Sequence, residues 1–269
     1  MYKLKTYDEL TFADDYLFCQ IMQDENICKG VIKTLLGIEV EKIEYLNKQQ
    51  EFSPSLGSRG IRMDVYVKNS EQIFDLEIQT CHFTDLPKRA RYYQGLIDID
   101  ILEKNHDYKQ LKESFIVFIC TKDPFGFGLP CYTVEQICKE DKNANDAIND
   151  RTHKIYYNAE GWAKSENKEV KAFLKFLTTQ AADTDLTKAI ETAVYTSKGR
   201  ELWRKEFMTV FEQIDDATAE GIAIGEERKA YETAENLFNI GLSIEQISYA
   251  TGLSIEQIED IADEMGLSE

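Results

Sequence analysis

The chain has 269 residues and no apolar run that approaches the roughly 18 needed to cross a bilayer, so no transmembrane helix is expected. Its opening, Met1-Tyr2-Lys3-Leu4-Lys5-Thr6-Tyr7-Asp8, lacks an apolar h-region and does not read as a signal peptide. C-x-x-C is absent. Cys19, Cys28, Cys81, Cys120, Cys131 and Cys138 lie mostly in apolar runs, which points to reduced core thiols in a cytoplasmic protein, not to disulfides or a zinc site. The 3 histidines are scattered and add no metal motif. Positive charge is also short, with 31 Lys and Arg against 49 Asp and Glu. Neutralising phosphates needs cations, so the chain as a whole is no strongly basic nucleic-acid binder.

What is present is an apolar fraction of 43% with 14 Tyr and 14 Phe, which fits a globular protein. The length suits one substantial core plus an appendage, or two small domains. The surplus acid gathers at the end: residues 211–269 hold 15 acidic and 2 basic side chains, leaving 34 and 29 in residues 1–210. The N-terminal body can therefore still offer a local basic face.

Phe12–Leu36 carries apolar residues at helical spacing (Leu17, Ile21, Ile27, Val31, Ile32, Leu35), with Gly37 as its stop. Glu39–Phe52 alternates and starts a sheet. A hairpin follows over residues 61–79, then a helix that begins at Asp85-Leu86-Pro87 and runs to about Leu102. Phe115–Cys120 is continuously apolar and reads as a strand buried on both faces. Residues 124–128 form a loop, and His153–Tyr157 is a late strand. This order predicts an α/β sandwich with a mixed central sheet flanked by helices. From about Glu166 strand signals vanish and an all-helical C-terminal region begins, with a long helix over Glu201–Ile240. It ends in two copies of L-S-I-E-Q-I, at Leu242–Ile247 and Leu253–Ile258, each with a serine and a glutamine spaced as a capping box. The pair resembles a small helix-turn-helix. Its second helix is acidic and would be repelled by DNA phosphates, so it reads as a protein-contact or self-association surface.

The residues richest in chemistry are R-M-D-V at Arg62–Val65 and L-E-I-Q at Leu76–Gln79. Each places an acid inside an alternating strand. Alternation puts Arg62, Asp64 and Tyr66 on one face of the first strand, with Asp75, Glu77 and Gln79 together on the second. A hairpin can then bring Asp64 and Glu77 side by side. Two adjacent carboxylates repel, and one takes up a proton unless a cation lies between them. Oxygen ligands of this kind suit Mg²⁺, which keeps several waters and needs only one or two protein carboxylates. The plainer alternatives are that Asp64 pairs with Arg62 on a solvated strand, and that Asp75 is a competing acid exposed at the strand's start.

This arrangement resembles the PD-(D/E)xK nuclease superfamily, and within it the recombination-promoting nuclease and transposase family. Asp15-Tyr16-Leu17-Phe18 is similar to the family's opening D-x-x-F helix. Lys88-Arg89-Ala90-Arg91-Tyr92-Tyr93 is similar to its K-R-A-x-Y-Y helix, and Asp107-Tyr108-Lys109-Gln110-Leu111 to its x-Y-x-x-L segment. The resemblance implies a restriction-endonuclease-like core over residues 1–165, followed by the helical region 166–269. It implies Mg²⁺, with Mn²⁺ or Ca²⁺ as alternatives, held by Asp64, Glu77 and the backbone carbonyl of Ile78. Asp15 matches an acid that is a distant metal or water ligand in some members; it also fits an ordinary charge near a helix N-terminus. Gln79 stands at the superfamily's lysine position, in the E-x-Q form usual for this subfamily. Glutamine orients water but brings no charge, so Arg89 or Arg91 is the candidate for the missing cation. Arg89 and Tyr93, four apart, share a helix face; a solvated basic helix face is the competing reading. Arg62, Lys88, Arg91 and Tyr93 are the candidates for nucleic-acid contact.

The function this implies is a Mg²⁺-dependent DNA endonuclease of little sequence preference, tied to recombination or mobile elements. Its partners would be DNA and a second copy met through the C-terminal helices, with no membrane. The alternative is a catalytically weak or inactive nucleic-acid-binding or regulatory protein with an acidic protein-interaction tail. A structural α/β protein that self-associates through its tail is a third reading.

Overall fold

A computed structural model describes residues 5–43, 45–52, 61–80, 84–102 and 107–265. The chain forms two compact units, Met1–Glu201 and Leu202–Glu269. In the first, the elements run α1 (Asp15–Ile21), α2 (Glu25–Leu36), β1 (Tyr45–Phe52), β2 (Ile61–Lys68), β3 (Gln72–Gln79), α3 (Leu86–Ile101), β4 (Glu113–Cys120), β5 (Cys131–Val134), α4 (Asn145–Ile148), β6 (Thr152–Asn158), α5 (Lys168–Thr179) and α6 (Asp185–Lys198).

The helical stretch expected over Phe12–Leu36 is two helices. Asp24 interrupts it, because its carboxylate accepts from the amides of Asn26 (2.9 Å) and Ile27 (3.3 Å) and so caps a new helix. Gly37 stops α2 as anticipated, with the left-handed φ of 70° that glycine tolerates.

The six strands lie in the order β1-β2-β3-β4-β6-β5. β1, β2 and β3 are antiparallel, β3, β4 and β6 parallel, and β5 antiparallel to β6, so the sheet is mixed. β4 is buried from Ser114 to Cys120, as its unbroken apolar sequence requires. β5 has four half-exposed or exposed residues at the sheet edge, too few for alternation to announce it.

Consecutive tyrosines show how the layers stack. Tyr156 is stacked on Phe118 with ring centres 5.6 Å apart, in the cluster that also holds Leu86, Ala90, Tyr93 and Ile97 of α3. Tyr157 points the other way and donates its hydroxyl proton to the Leu35 carbonyl of α2. α3 therefore covers one face and α2 the other. On the α2 side, Phe12 packs against Phe18 of α1 (5.3 Å) and Phe173 of α5 (6.3 Å). The first unit extends past residue 165, since α5 and α6 pack on α1 and α2. The Tyr7 hydroxyl also donates to the Ser197 carbonyl at 2.9 Å.

The second unit contains α7 (Glu201–Asn239), α8 (Ile244–Thr251) and α9 (Ile255–Glu264). Ala234, Ile247, Leu253, Ile258 and Ile261 form its core. Both expected capping boxes are formed: Ser243 closes on Gln246 and Ser254 on Gln257. Ser254→Ala removes one acceptor from the first turn of α9 and is expected to weaken that helix by about 1 kcal/mol. Hydrogen exchange should then quicken in α9 and stay unchanged in β4; uniform quickening would contradict a local cap.

Cys19, Cys28 and Cys120 are buried and reduced, whereas Cys131 and Cys138 are half-buried, and Cys81 lies outside the described residues. Among the described residues no helix is long and apolar enough to cross a membrane.

Candidate active site

β2 and β3 are joined by a tight turn in which the Asn69 side-chain carbonyl accepts from the amides of Glu71 (2.9 Å) and Gln72 (2.6 Å). The ladder runs from Lys68 opposite Ile73 to Val65 opposite Leu76 and ends there. Beyond that point carboxylates take the place of backbone carbonyls. Glu77 Oε1 accepts the Asp64 amide at 2.9 Å, and Asp64 Oδ2 accepts the Ile78 amide at 3.0 Å. Each acid is thus anchored to the main chain of the other's strand.

The two acids are tied to each other's strands, but they do not share one face as the alternation predicts. Met63 and Tyr66, three apart, share the cluster beneath α3. The Asp64 carboxylate instead turns toward α1, where ligand atoms of Asp15, Cys19 and Asp64 lie within 4.8 Å of one another. The alternation slips by one residue at Asp64, so one acid can approach α1 while Glu77 stays on the α3 face. Cys19 is a neighbour that sequence reasoning left in the core; its only signal was the four-residue spacing from Asp15. Its thiol donates to Asp15 Oδ1 at 3.3 Å. Burial, with Asp15 and Asp64 beside it, pushes the thiol far above its ordinary range, so it remains protonated.

Asp75 corrects a second expectation. It is not an exposed acid at the strand's start but is 0% exposed, covered by α3 and the neighbouring strands, and neither oxygen meets a donor. Glu77, two residues on along the same face, is 1% exposed. Carboxylates only accept, so these two can bond only through a shared proton. Burial raises Asp75 well above the ordinary carboxylate range, with Asp64 adding to the effect. Glu77 is raised by burial and by Asp75, and Asp64 by burial, then Glu77 and Asp15.

Among the described residues a guanidinium from α3, that of Arg89, stands against these acids. Pro87 sits in the first turn of that helix, and Leu86, Ala90 and Tyr93 bury its inner face. This fixes Arg89 over the end of β3. Arg89 Nη2 is 3.5 Å from Glu77 Oε2 and donates to the Tyr93 hydroxyl at 2.8 Å; Nη1 donates to Gln79 Oε1 at 2.9 Å. The guanidinium also lies 5.5 Å from the Tyr93 ring centre and 5.4 Å from that of Phe118. Arg89 and Tyr93 act together, as their i,i+4 spacing implies. Tyr93, however, is 6% exposed and steadies Arg89 instead of facing a nucleic acid. Arg62, Lys88 and Arg91 are exposed. Gln79 Nε2 donates to the Ile78 carbonyl at 2.9 Å, so the oxygen expected to ligate a cation is engaged by its neighbour.

The donor set fits a hard divalent cation. Asp15, Cys19 and Asp64 set two carboxylates and an un-ionised thiol within 4.8 Å of one another; Glu77 lies outside that group and is tied to Asp64 through the Asp64 amide, and among the described residues Arg89 is 3.5 Å from Glu77. No match was found among curated proteins or among solved structures. The family model for the PD-(D/E)XK nuclease family transposase matches residues 12–237, a span that contains all of these groups, and the chain belongs to that family.

Proposed function

We propose that the chain is a Mg²⁺-dependent DNA endonuclease of little sequence preference that serves recombination or a mobile element. The observation that carries this reading is the opening of the β2–β3 ladder, where Asp64 and Glu77 are held by each other's backbone amides. Asp15 approaches from α1 and Arg89 from α3. Asp64 and Glu77 would hold the cation, with Asp15 a further ligand directly or through water. A bound cation supplies acidified water and neutralises charge on the scissile phosphate. Arg89 is placed to take up charge that develops on the phosphate oxygens, a role that Gln79 lacks the charge to fill. Arg62, Lys88 and Arg91 are available to phosphates of the duplex.

One observation favours a second reading, that of a catalytically weak nucleic-acid-binding protein. The Gln79 amide is already engaged by the Ile78 carbonyl and by Arg89, which leaves it poorly placed to orient a water. Supercoiled plasmid incubated with the purified chain decides between the two. Nicked and linear products should appear with Mg²⁺ or Mn²⁺ and disappear with EDTA. Cleavage indifferent to EDTA would defeat the metal-dependent reading, and DNA retention without cleavage in any divalent ion would select the second.

A further inference from the structure

The segment between β4 and β5 presents one ring to solvent from a backbone tied down by side chains. It leaves the sheet beside the candidate site: Cys120 lies level with Gln79 of β3 and with Asn158 of β6, and the Thr121 amide donates to the Gln79 carbonyl at 2.8 Å. The chain then folds around the Asp123 carboxylate, which accepts the amides of Phe125 (3.1 Å), Gly126 (3.0 Å) and Gly128 and the Tyr132 hydroxyl (2.8 Å). Gly126 and Gly128 take left-handed φ of 78° and 66°, so the backbone turns on both sides of Phe127. Phe125 goes inward, its ring 5.1 Å from that of Tyr156 and 4.9 Å from that of Tyr132. From behind, Asn158 donates to the Leu129 carbonyl (2.9 Å) and Lys164 to the Gly128 carbonyl (2.8 Å). Gly161 lies so close that a Cβ there would be 2.8 Å from the Leu129 carbonyl oxygen. Phe127, at the turn, is 77% exposed.

A lone exposed apolar residue is ordinary. Phe127 differs in that its backbone is already ordered, so a ligand covering the ring need not order the loop. A cation also stands beside it. The ammoniums of Lys164 and Lys171 donate to the carbonyls of Gly128 and Ala163 (2.8 and 2.9 Å), and among the described residues neither pairs with an acid; Lys122 is paired with Glu160 at 2.8 Å. A ring next to an uncompensated cation matches the two halves of a nucleotide, a base with a π face and a phosphate. An apolar protein surface would match the ring but cover the ammonium without a counter-charge. The rings of Phe118, Tyr156 and Phe125 run in a row from Arg89, whose guanidinium is 5.4 Å from the first; the successive spacings are 5.6 and 5.1 Å. The loop therefore stands on the Arg89 side of the sheet, a few base steps of about 3.4 Å from a phosphate at that guanidinium. We propose that Phe127 stacks on a base of the bound nucleic acid while Lys164 takes the adjoining phosphate. This deepens, and rests on, the reading of the chain as one that acts on DNA. Every base has a π face, so the contact fixes the strand's position without reading its sequence.

The test uses the full chain, with binding measured in EDTA to separate it from metal-dependent cleavage. Phe127→Trp places an indole reporter at the turn. A short DNA duplex should quench its emission beyond any change in the parent chain, which carries Trp162 and Trp203. Phe127→Ala should weaken binding by roughly tenfold, and Phe127→Tyr should keep it. Lys164→Gln should lower the slope of log affinity against log salt by about 1. None of the Phe127 variants should shift the melting temperature, because the ring is exposed. In Mg²⁺, plasmid cleavage by Phe127→Ala should show KM raised by roughly tenfold with kcat little changed, the mark of a contact made equally before and during the reaction. A parent that cleaves while Phe127→Ala binds and cleaves like it overturns the stacking contact and leaves the nuclease reading standing. A parent that binds, with quenching of the introduced indole but no cleavage in any divalent ion, supports the contact and ends the nuclease reading. A parent that does not bind DNA overturns both. A change in the mass of the Phe127→Ala chain in solution, with DNA affinity unaltered, would give the ring to a protein partner and overturn the proposal.

Discussion

Asp64→Asn is expected to lower Mg²⁺-dependent cleavage by on the order of a thousandfold while making the cation-free protein melt at a higher temperature. The two effects share one cause. Asn keeps an oxygen that can accept the Ile78 amide, so the strand opening is preserved. It removes an acid whose charged form is opposed by burial and then by Glu77 and Asp15, so the folded state sheds the cost of keeping that group charged or of holding a proton on it. Relief of about 1–2 kcal/mol would appear as a rise of roughly 2–6 °C in EDTA. Asp64→Ala should be equally inactive without that gain, because an amide left without its acceptor costs about 1–3 kcal/mol. Calorimetry of both variants beside a plasmid assay reads the pair of effects. Full activity in Asp64→Asn would remove this residue from the chemistry, and a fall in its melting temperature would refute the electrostatic account.

The cation-free protein is also expected to lose stability as pH rises from about 5 to 8, unlike a protein stabilised by ordinary paired carboxylates. Asp64, Asp75 and Glu77 all have folded-state pKa values raised by burial. The folded chain therefore holds protons that the unfolded chain releases near pH 4. Their contribution is complete below that range and is lost as pH climbs through the raised values. Each pH unit over which one extra proton is held shifts stability by about 1.4 kcal/mol. Glu113, Asp123 and Asp150 are lowered by hydrogen bonds, helped by Arg151 beside Glu113 and Lys154 beside Asp150, and their opposite effect is confined to more acid solution. A divalent cation binds the deprotonated acids, so its stabilisation should grow as protons leave. Melting curves in EDTA and in Mg²⁺ should diverge as pH rises. Parallel curves would mean that the acids do not share a cation, and a flat EDTA curve would mean that they are not held neutral.

Much of this arrangement can be read from local pattern. The unbroken apolar run of β4, Gly37 after α2 and the two Ser–Gln capping boxes are rules acting over a few residues, and the structure follows them. What escapes local pattern depends on what lies across the sheet. Asp75 has the same neighbours in sequence as an exposed strand acid, and only the cover provided by α3 makes it buried. The slip at Asp64 arises because side-chain oxygens replace carbonyls in a ladder, and no hydropathy pattern records that exchange. Asp24 splits a continuous apolar periodicity because a cap competes with the interior of a helix. Cys19 joins the site only because α1 packs against the open end of β2.

Five charged groups around the strand opening come from helices and strands: Asp15 from α1, Asp64 from β2, Asp75 and Glu77 from β3, and Arg89 from α3. The positions of these groups are therefore inherited from the packed scaffold, whose elements hold side chains more rigidly than loops do. The segments between β4 and β6 carry none of these five groups, so they can change sequence without moving them, which leaves them free to diversify the surface around the strand opening.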